Sequence, residues 1–155
     1  MNKNKIYPER LKFGDEIRVI APARSLSIFP DENIRLAKFK LEGLGFKVTF
    51  SKNCKEIDSF NSSSIKSRIE DLHDAFLDRN VKAILTVIGG FNSNQLLKYI
   101  DYELIKKNPK ILCGYSDITA LANVITNKTG LITYSGPHFS TFAMKKGFEY
   151  TLEYF

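Results

Sequence analysis

A serine stands where a buried strand would turn into a helix. It is Ser116, in the run Lys-Ile-Leu-Cys-Gly-Tyr-Ser-Asp-Ile-Thr at residues 110–119. Such a turn holds a side chain clear of the sheet edge, and Gly114 permits the close backbone approach that the turn needs. The first free N–H groups of the helix, beginning with Asp117, would point at the space above the serine and hold an oxyanion. The position suits a nucleophile, but the pattern is G-x-S-x-x rather than the full G-x-S-x-G, and on spacing alone a helix cap by Ser116 or Asp117 is favoured.

A pair of adjacent glycines, Gly89 and Gly90, follows another apolar run, in Thr-Val-Ile-Gly-Gly-Phe-Asn-Ser-Asn-Gln-Leu-Leu at residues 86–97. Adjacent glycines expose backbone amides to a ligand, so the N–H of Gly90 is a candidate second donor to an oxyanion. The segment has neither G-x-G-x-x-G nor the Walker lysine, and it therefore gives little support to a nucleotide-phosphate site. The alternative is a tight turn in which Asn92 or Ser93 caps a helix.

The two histidines and two cysteines are the other side chains with reactive chemistry. His138 follows Gly-Pro at the sheet edge where Ser116 is expected, so it is a candidate base, although a place in the substrate cleft or under another domain is favoured. His73 flanks an apolar helical stripe and is expected to be a surface or half-buried side chain. Cys113 is expected to be a small core residue. With Cys54 as the only other cysteine, neither a disulfide framework nor a zinc site is expected, and no metal or organic cofactor is implied.

Apolar periodicity predicts five short strands rich in Val, Ile, Leu or Phe. The third is nearly continuous in apolar side chains, as expected of a strand covered on both faces of a parallel sheet. With helices between the strands, the pattern predicts an α/β fold: a doubly wound, mostly parallel five-stranded sheet with helices on both faces and sites at the carboxyl ends of the strands. The predicted strands are Ile17–Ala21, Phe46–Phe50, Val81–Ile88, Lys110–Gly114 and Leu131–Tyr134.

Four amphipathic segments alternate with these strands and predict helices. The last residues, 149–155, have the pattern of a further helix that ends in two aromatics without a cap, and we interpret this ending as a cut in the chain. The first predicted helix follows Pro30 and closes at Gly43 and Gly45. The second follows Ser62-Ser63-Ser64 and has Ile65, Ile69, Leu72 and Phe76 on one face. The third runs from about Ser93 to Ile100, and the fourth from Asp117 to Gly130.

The chain has 155 residues, 43% of them hydrophobic and 26% charged, which suits one globular domain with an adequate core. The formal charge of +6 is dispersed, and no basic run exceeds two neighbours, so a nucleic-acid partner is disfavoured. Residues 1–12 lack an apolar signal region, and the uncharged stretch 129–144 is too polar to span a bilayer. These features predict a cytoplasmic protein with no membrane partner.

Several segments together resemble the LD-carboxypeptidase family of serine peptidases, and more closely its branch that includes the microcin C self-immunity protein. The resemblance covers essentially the whole chain. Gly-Asp-Glu-Ile-Arg-Val-Ile-Ala-Pro-Ala at 14–23 is similar to the family's opening strand, and 68–84 resembles its helix and third strand. Ile-Gly-Gly-Phe-Asn-Ser at 88–93 is similar to its oxyanion turn, Gly-Tyr-Ser-Asp-Ile-Thr at 114–119 matches its nucleophile segment, and Tyr-Ser-Gly-Pro at 134–137 resembles a Tyr-Gly-Pro segment with an inserted serine.

The resemblance implies a cytoplasmic hydrolase that removes the C-terminal residue of a small peptide with a Ser-Glu-His triad. Ser116 would be the nucleophile and the amides of Gly90 and Asp117 the oxyanion donors. The triad's Glu and His would lie in a C-terminal domain without counterpart in these 155 residues, so this chain, as the N-terminal nucleophile-bearing domain, should be nearly inactive alone. Residues expected to bind substrate are Gly89, Asn92, Ser93, Tyr115 and His138.

The substrate implied by the resemblance is a peptidoglycan tetrapeptide ending in D-alanine or a peptidyl-nucleotide. The resemblance places Asn92-Ser93 where the peptidoglycan-recycling members of the family have Tyr-Gly, and this difference favours the immunity branch. The resemblance also suggests a homodimer. A different class of function stays open: a non-catalytic α/β domain that uses the glycine turn and helix amides as a pocket for a carboxylate or peptide terminus.

Overall fold

The computed structural model describes residues 4–155. Its regular elements alternate between strands and helices, in agreement with the predicted α/β class. The strands are β1 (Glu16–Ile20), β2 (Lys47–Phe50), β3 (Val81–Thr86) and β4 (Ile111–Cys113). The helices are α1 (Asp31–Gly43), α2 (Ile65–Leu77), α3 (Tyr102–Lys107), α4 (Ile118–Thr129) and α5 (Glu149–Tyr154), and three short 3-10 helices cover Leu26–Ile28, Ser93–Leu96 and Phe139–Ala143.

The four strands form one parallel sheet in the order β2-β1-β3-β4. Strand β1 lies at the centre and pairs with β2 on one side, where Ile17 is opposite Val48, and with β3 on the other, where Val19 is opposite Leu85. Parallel strands end at the same edge of the sheet, so the loops after β1, β3 and β4 meet there. The turn after β4 that contains Ser116 (the serine turn) and the turn after β3 that contains Gly89 and Gly90 (the glycine turn) therefore lie at the same edge of the sheet.

Side chains alternate between the two faces of the sheet and build a core on each. In β1, Val19 faces a cluster that includes Ala37 and Leu41 of α1 and Phe139, whereas Ile20 faces a second cluster with Leu72 of α2 and residues of α3 and α4. Strand β3 is buried almost throughout because both faces are covered. Helices on both faces make the sheet doubly wound.

The prediction of a fifth strand is wrong. Residues 131–134 make only two isolated parallel bridges, Leu131 with Ile6 and Tyr134 with Cys113. The segment divides its pairing between two partners because its first half bonds to the N-terminal segment, through the Ile132 N–H and the Ile6 carbonyl, and only its end reaches β4. No continuous ladder forms, and the sheet has four strands within residues 4–155.

The helices differ from prediction mainly in the third segment. Instead of one helix over 93–100, a single 3-10 turn covers Ser93–Leu96, and a helix that we did not predict, α3, begins after Asp101. The Asp101 carboxylate accepts a hydrogen bond from the Leu104 N–H and so caps α3. An aspartate at this position is a helix-start signal in the sequence, but α3 is too short for its apolar periodicity to support that signal. Helix α4 ends as predicted, since Gly130 has φ 85° and adopts the left-handed conformation of a helix C-terminus.

The aromatic residues near the end of the chain divide between core and surface. Phe139, Phe142 and Phe148 are buried, whereas Tyr150 and Tyr154 on α5 are mostly exposed. Within residues 4–155, no helix combines the length and apolarity that a membrane span requires.

Candidate active site

Ser116 lies in the turn between β4 and α4 with a backbone φ of 60°. A non-glycine residue rarely adopts this left-handed region, because its Cβ crowds the following backbone. Among residues 4–155, Asn61 is the only other non-glycine residue with positive φ, and asparagine tolerates that conformation better than serine. The side chain of Ser116 is exposed. The backbone at Ser116 is therefore strained, and this strained conformation presents the hydroxyl at the edge of the sheet.

The turn is possible because Gly114 has no side chain. A Cβ at this position would overlap Oγ1 of Thr86 and lie 3.1 Å from Cγ2 of Ile118. Thr86 ends β3, is fully buried, and donates through its hydroxyl to the Cys113 carbonyl at 3.3 Å. Gly114 is thus needed for the close approach of two strand ends, as the sequence suggested.

The glycine turn packs directly against the serine. A Cβ placed on Gly89 would lie 3.0 Å from Cβ of Ser116, 3.1 Å from its Oγ and 3.4 Å from the backbone nitrogen of Asp117. At these distances a side chain at position 89 would compete for the space around the hydroxyl. The structure therefore brings the two predicted segments together, although 26 positions separate Gly90 from Ser116 in the printed sequence.

Asp117 and Ser93 join the two turns. The Ser93 N–H donates to Oδ2 of Asp117 at 2.9 Å, and the Ser93 hydroxyl donates to the Asp117 carbonyl at 2.8 Å. The Asp117 side chain makes no capping bond to its own helix, so the alternative in which its carboxylate only caps α4 does not describe the structure. Asp117 instead fixes the start of the serine helix to the glycine turn.

Several backbone amides of the two turns, those of Gly89, Gly90, Tyr115, Ser116 and Asp117 among them, have no hydrogen-bond acceptor within residues 4–155. Neither the Gly90 N–H nor the Asp117 N–H donates to another residue in the described range 4–155. Unpaired N–H groups next to an exposed hydroxyl can accept negative charge that develops on a bound carbonyl oxygen. The Gly90 and Asp117 amides, which the sequence proposes as oxyanion donors, are two of these unpaired groups, and that role stays a prediction.

Arg68, on α2, was not identified from the sequence as part of the site. Its side chain is 3% exposed, and it donates to the carbonyls of Pro22 and Asn92, both at 3.2 Å, and to Oε1 of Gln95 at 2.7 Å. A signal was available: Arg68 lies three residues after Ile65, on the face that otherwise carries the apolar stripe of α2. A charged residue at such a position requires a buried polar partner.

His138 is buried behind the serine turn. Its ring stacks on Tyr115 with 4.4 Å between centroids, and Nδ1 lies 2.8 Å from Oγ1 of Thr86. Burial lowers the pKa of His138 to about 4, against a smaller opposing effect of the Tyr115 backbone, so the ring is neutral near pH 7. Nε2 has no hydrogen-bond partner among residues 4–155, and no bond joins the ring to Ser116. The structure does not assemble His138 and Ser116 into a nucleophile–base pair.

The remaining reactive side chains lie away from the chemistry. Cys113 is buried, and burial raises the pKa of its thiol to about 12, as expected of a core residue rather than a nucleophile. Cys54 is likewise buried with its pKa raised to about 11. His73 is half-buried, as predicted, and accepts from the Asp101 N–H at 3.0 Å. Residues 4–155 contain no cluster of His, Cys, Asp and Glu suited to a metal ion.

The predicted substrate-binding residues fall into two groups. Tyr115 is 48% exposed beside Ser116, and so is accessible to a ligand. The side chains of Asn92, Ser93 and His138 are buried and bonded or packed against other protein groups. In this conformation they support the turns from behind, and their contact with substrate stays a prediction that requires the turns to move. Gly89 contributes the space beside the hydroxyl.

These features match a known family. Residues 17–136 match the family model described as the LD-carboxypeptidase N-terminal domain, and the chain belongs to this family. The site thus lies in a domain of peptidases, and particular relatives are close in sequence. Over 150 residues the chain is 64% identical to the Bacillus subtilis protein named "Putative carboxypeptidase YocD", covering 97% of this chain and 46% of that protein.

Solved structures agree with this assignment. The crystal structure of an MccF-like protein from Bacillus anthracis superposes with a TM-score of 0.95 and 66% identity, over 96% of this chain and 45% of that one. Microcin C7 self-immunity protein MccF from Escherichia coli is 43% identical over 97 residues, which cover 63% of this chain and 28% of that protein. The chain therefore spans less than half the length of these relatives.

Proposed function

We propose that this chain is the nucleophile-bearing domain of a serine carboxypeptidase. Ser116 attacks the scissile carbonyl, and the N–H groups of Gly90 and Asp117 hold the resulting oxyanion. One observation carries the proposal: an exposed serine with φ of 60° follows a buried strand, and the N–H groups of Gly90 and Asp117 in the adjoining turns are among those without acceptors within residues 4–155. Strained backbone at such a position is a common feature of nucleophile turns.

The general base comes from residues outside this chain. Ser116 Oγ has no hydrogen-bond partner among the described residues, and His138 is a weak base that already bonds to Thr86. A serine hydroxyl without a base is a poor nucleophile near neutral pH. Relatives are more than twice as long as this chain. A C-terminal domain that supplies a Glu and a His would account both for the missing base and for this greater length. Alone, the 155 residues hydrolyse substrate slowly.

The substrate is a small peptide or peptide conjugate whose terminal bond reaches an open surface. Ser116 is exposed and does not line three cavities of about 470, 750 and 320 Å³ among residues 4–155, so we infer that substrate reaches it from an open surface of this domain. MccF has been solved in complex with glutamyl sulfamoyl guanosine, which is an amino acid joined to a nucleoside. A peptidyl-nucleotide is therefore our first substrate class and a tetrapeptide ending in D-alanine our second.

The compartment and assembly complete the proposal. Two free, buried cysteines suit a reducing environment, and we infer a cytoplasmic enzyme. A homodimer is inferred from the family resemblance, and light scattering on the purified complete protein tests it: a mass of one protomer contradicts the dimer.

The nucleophile is tested by labelling. The complete protein that contains this domain is treated with an active-site-directed phosphonate, and the adduct is mapped by mass spectrometry. Modification of Ser116 is expected, and Ser116→Ala should abolish it, whereas Ser135→Ala, at an exposed serine nearby in the chain, should label like the wild type. An adduct on any other residue contradicts the assignment.

A second function is a non-catalytic pocket for a carboxylate or peptide terminus. The same unpaired amides favour it, because they would bind a stable anion as well as a developing one. Calorimetric titration of the 155-residue chain with a D-alanine-terminated tetrapeptide separates the two functions. Binding that survives in Ser116→Ala, combined with no phosphonate adduct in the complete protein, would favour the binding domain.

A further inference from the structure

The buried charge of Arg68 has no carboxylate in direct contact, and Asp58 and Asp117 act on it only from a longer distance. Its guanidinium is 3% exposed on the inward face of α2, and no carboxylate of residues 4–155 comes within ion-pair distance of it. Removing a charge from water without a directly bonded counter-ion is costly, so the hydrogen bonds of this side chain have to offset much of the cost of its burial. Where those bonds go indicates what the side chain does.

The bonds of Arg68 join two loops at the site edge of the sheet. One nitrogen, Nη1, donates to the Pro22 carbonyl in the loop after β1 and to the Asn92 carbonyl in the glycine turn after β3, each at 3.2 Å. The other, Nη2, donates to Oε1 of Gln95 at 2.7 Å, just after the same turn. A planar guanidinium can donate in several fixed directions at once, which a lysine ammonium on its flexible stem cannot reproduce.

A second chain of bonds holds the same turn. The Asn92 side-chain amide donates to Oγ of Ser62 at 3.0 Å, and that hydroxyl donates to the Ala23 carbonyl at 2.6 Å. Ala23 in turn supports Gly90, because a Cβ on this glycine would lie 3.0 Å from Cβ of Ala23. Gly90 therefore rests against a loop that Arg68 fixes through the adjacent Pro22 carbonyl.

We propose that Arg68 is a positioning residue that holds the glycine turn so that the Gly90 N–H faces the oxyanion. The oxyanion role rests on the proposed function. The clamp, by which we mean the hydrogen bonds of Arg68 to Pro22, Asn92 and Gln95, rests on these contacts alone. Arg68 does not touch substrate; it acts through Asn92 and the loop after β1. Its removal frees the turn, misplaces one donor and leaves Ser116 in place.

The test compares Arg68→Lys with Arg79→Lys, a matched change at an exposed arginine of the same region, in the complete protein. Losing one oxyanion donor costs on the order of 100-fold or more in rate, so we expect Arg68→Lys to slow phosphonate labelling of Ser116 by roughly 10- to 100-fold. We expect kcat to fall with little change in KM. Arg79→Lys should stay within about twofold of wild type.

Hydrogen exchange at the Ser93 N–H reports the clamp independently of catalysis. This amide donates to Asp117 and should be protected, and Arg68→Lys should accelerate its exchange. If Arg68→Lys does not fold, Gln95→Ala, which removes one exposed partner of Arg68, should give a smaller change in the same direction.

The outcomes separate the clamp from the proposed function. Labelling and exchange in Arg68→Lys within about twofold of wild type would overturn the positioning role, and so would a loss in labelling that only follows the unfolded fraction. If wild-type Ser116 takes no adduct, the proposed function fails, and faster exchange at Ser93 in Arg68→Lys would still support the clamp.

Discussion

The backbone and hydroxyl of Ser93 both bond to Asp117, at 2.9 Å to its carboxylate and 2.8 Å to its carbonyl. Through this pair the glycine turn after β3 is fixed to Asp117, the residue that immediately precedes α4. The relative position of the Gly90 and Asp117 amides, which we propose as oxyanion donors, depends on this contact. Hydrogen bonds to charged groups contribute more than neutral ones, which makes this contact a strong link between the turns.

Ser93→Ala should lower the free energy of unfolding by about 1 kcal/mol, because it removes a hydrogen bond of a fully buried hydroxyl. Urea denaturation of the 155-residue chain measures the change. Ser135→Ala, at an exposed serine, is the control and should lie within about 0.5 kcal/mol of wild type. Equal effects of the two variants would show that the Ser93 hydroxyl does not stabilise the junction.

Gly114→Ala should destabilise the chain by about 2 kcal/mol or more, since its Cβ would overlap the buried Thr86 hydroxyl. Gly43→Ala is the matched control: it lies in α1, nothing approaches within 4 Å of its added Cβ, and alanine favours helix by about 1 kcal/mol. Thermal unfolding should therefore shift in opposite directions for the two variants. A shift of the same sign and size in both would refute the steric argument.

Ser116→Gly should be more stable than Ser116→Ala by about 1 kcal/mol. Alanine keeps the left-handed strain at φ 60°, whereas glycine adopts this conformation without it. Chemical denaturation of both variants measures the difference, and both should lose phosphonate labelling. Asn61→Gly, at φ 59°, provides the comparison and should gain less, because asparagine tolerates this region. A more stable Ser116→Ala would mean that the turn carries no strain.

Stability should decrease as the pH falls from about 6.5 to about 4, and His138 should contribute to that decrease. Its pKa in the folded chain is about 4, below the ordinary 6.5, so the unfolded chain binds the extra proton in this range. The neutral His138 ring contributes its full stabilisation of the folded chain above pH 6.5. Roughly 3 kcal/mol of the free energy of unfolding is lost by pH 4.

The measurement is urea unfolding of wild type and His138→Gln across that range. The variant should lose less stability than wild type between pH 6.5 and 4. His73→Gln is the control; burial also lowers the pKa of His73, but the ring is only half-buried, so this variant should keep most of the acid dependence. An identical pH profile in wild type and His138→Gln would contradict the burial of a neutral ring.

The sequence predicted most of the fold because local patterns carried it. Four strands and the α1, α2 and α4 helices lie within a few residues of their predicted positions, since apolar periodicity reports which face of each element is buried. The strand expected at 131–134 is not formed, because strand pairing depends on which neighbours are within reach. Leu131 pairs with Ile6 of the N-terminal segment, and only Tyr134 pairs with β4. The short helix α3 was missed because six residues give too little periodicity.

For the site, the sequence by itself determined the serine, the two glycines and their place at strand ends, because steric limits on a turn restrict those positions to a few residue types. Tertiary structure alone decided that the turns touch, that Asp117 bonds Ser93 rather than capping its helix, that His138 is buried and neutral, and that Arg68 joins two loops. These are contacts between residues far apart in the chain. Their existence depends on the packing of the sheet and helices, which no local spacing records.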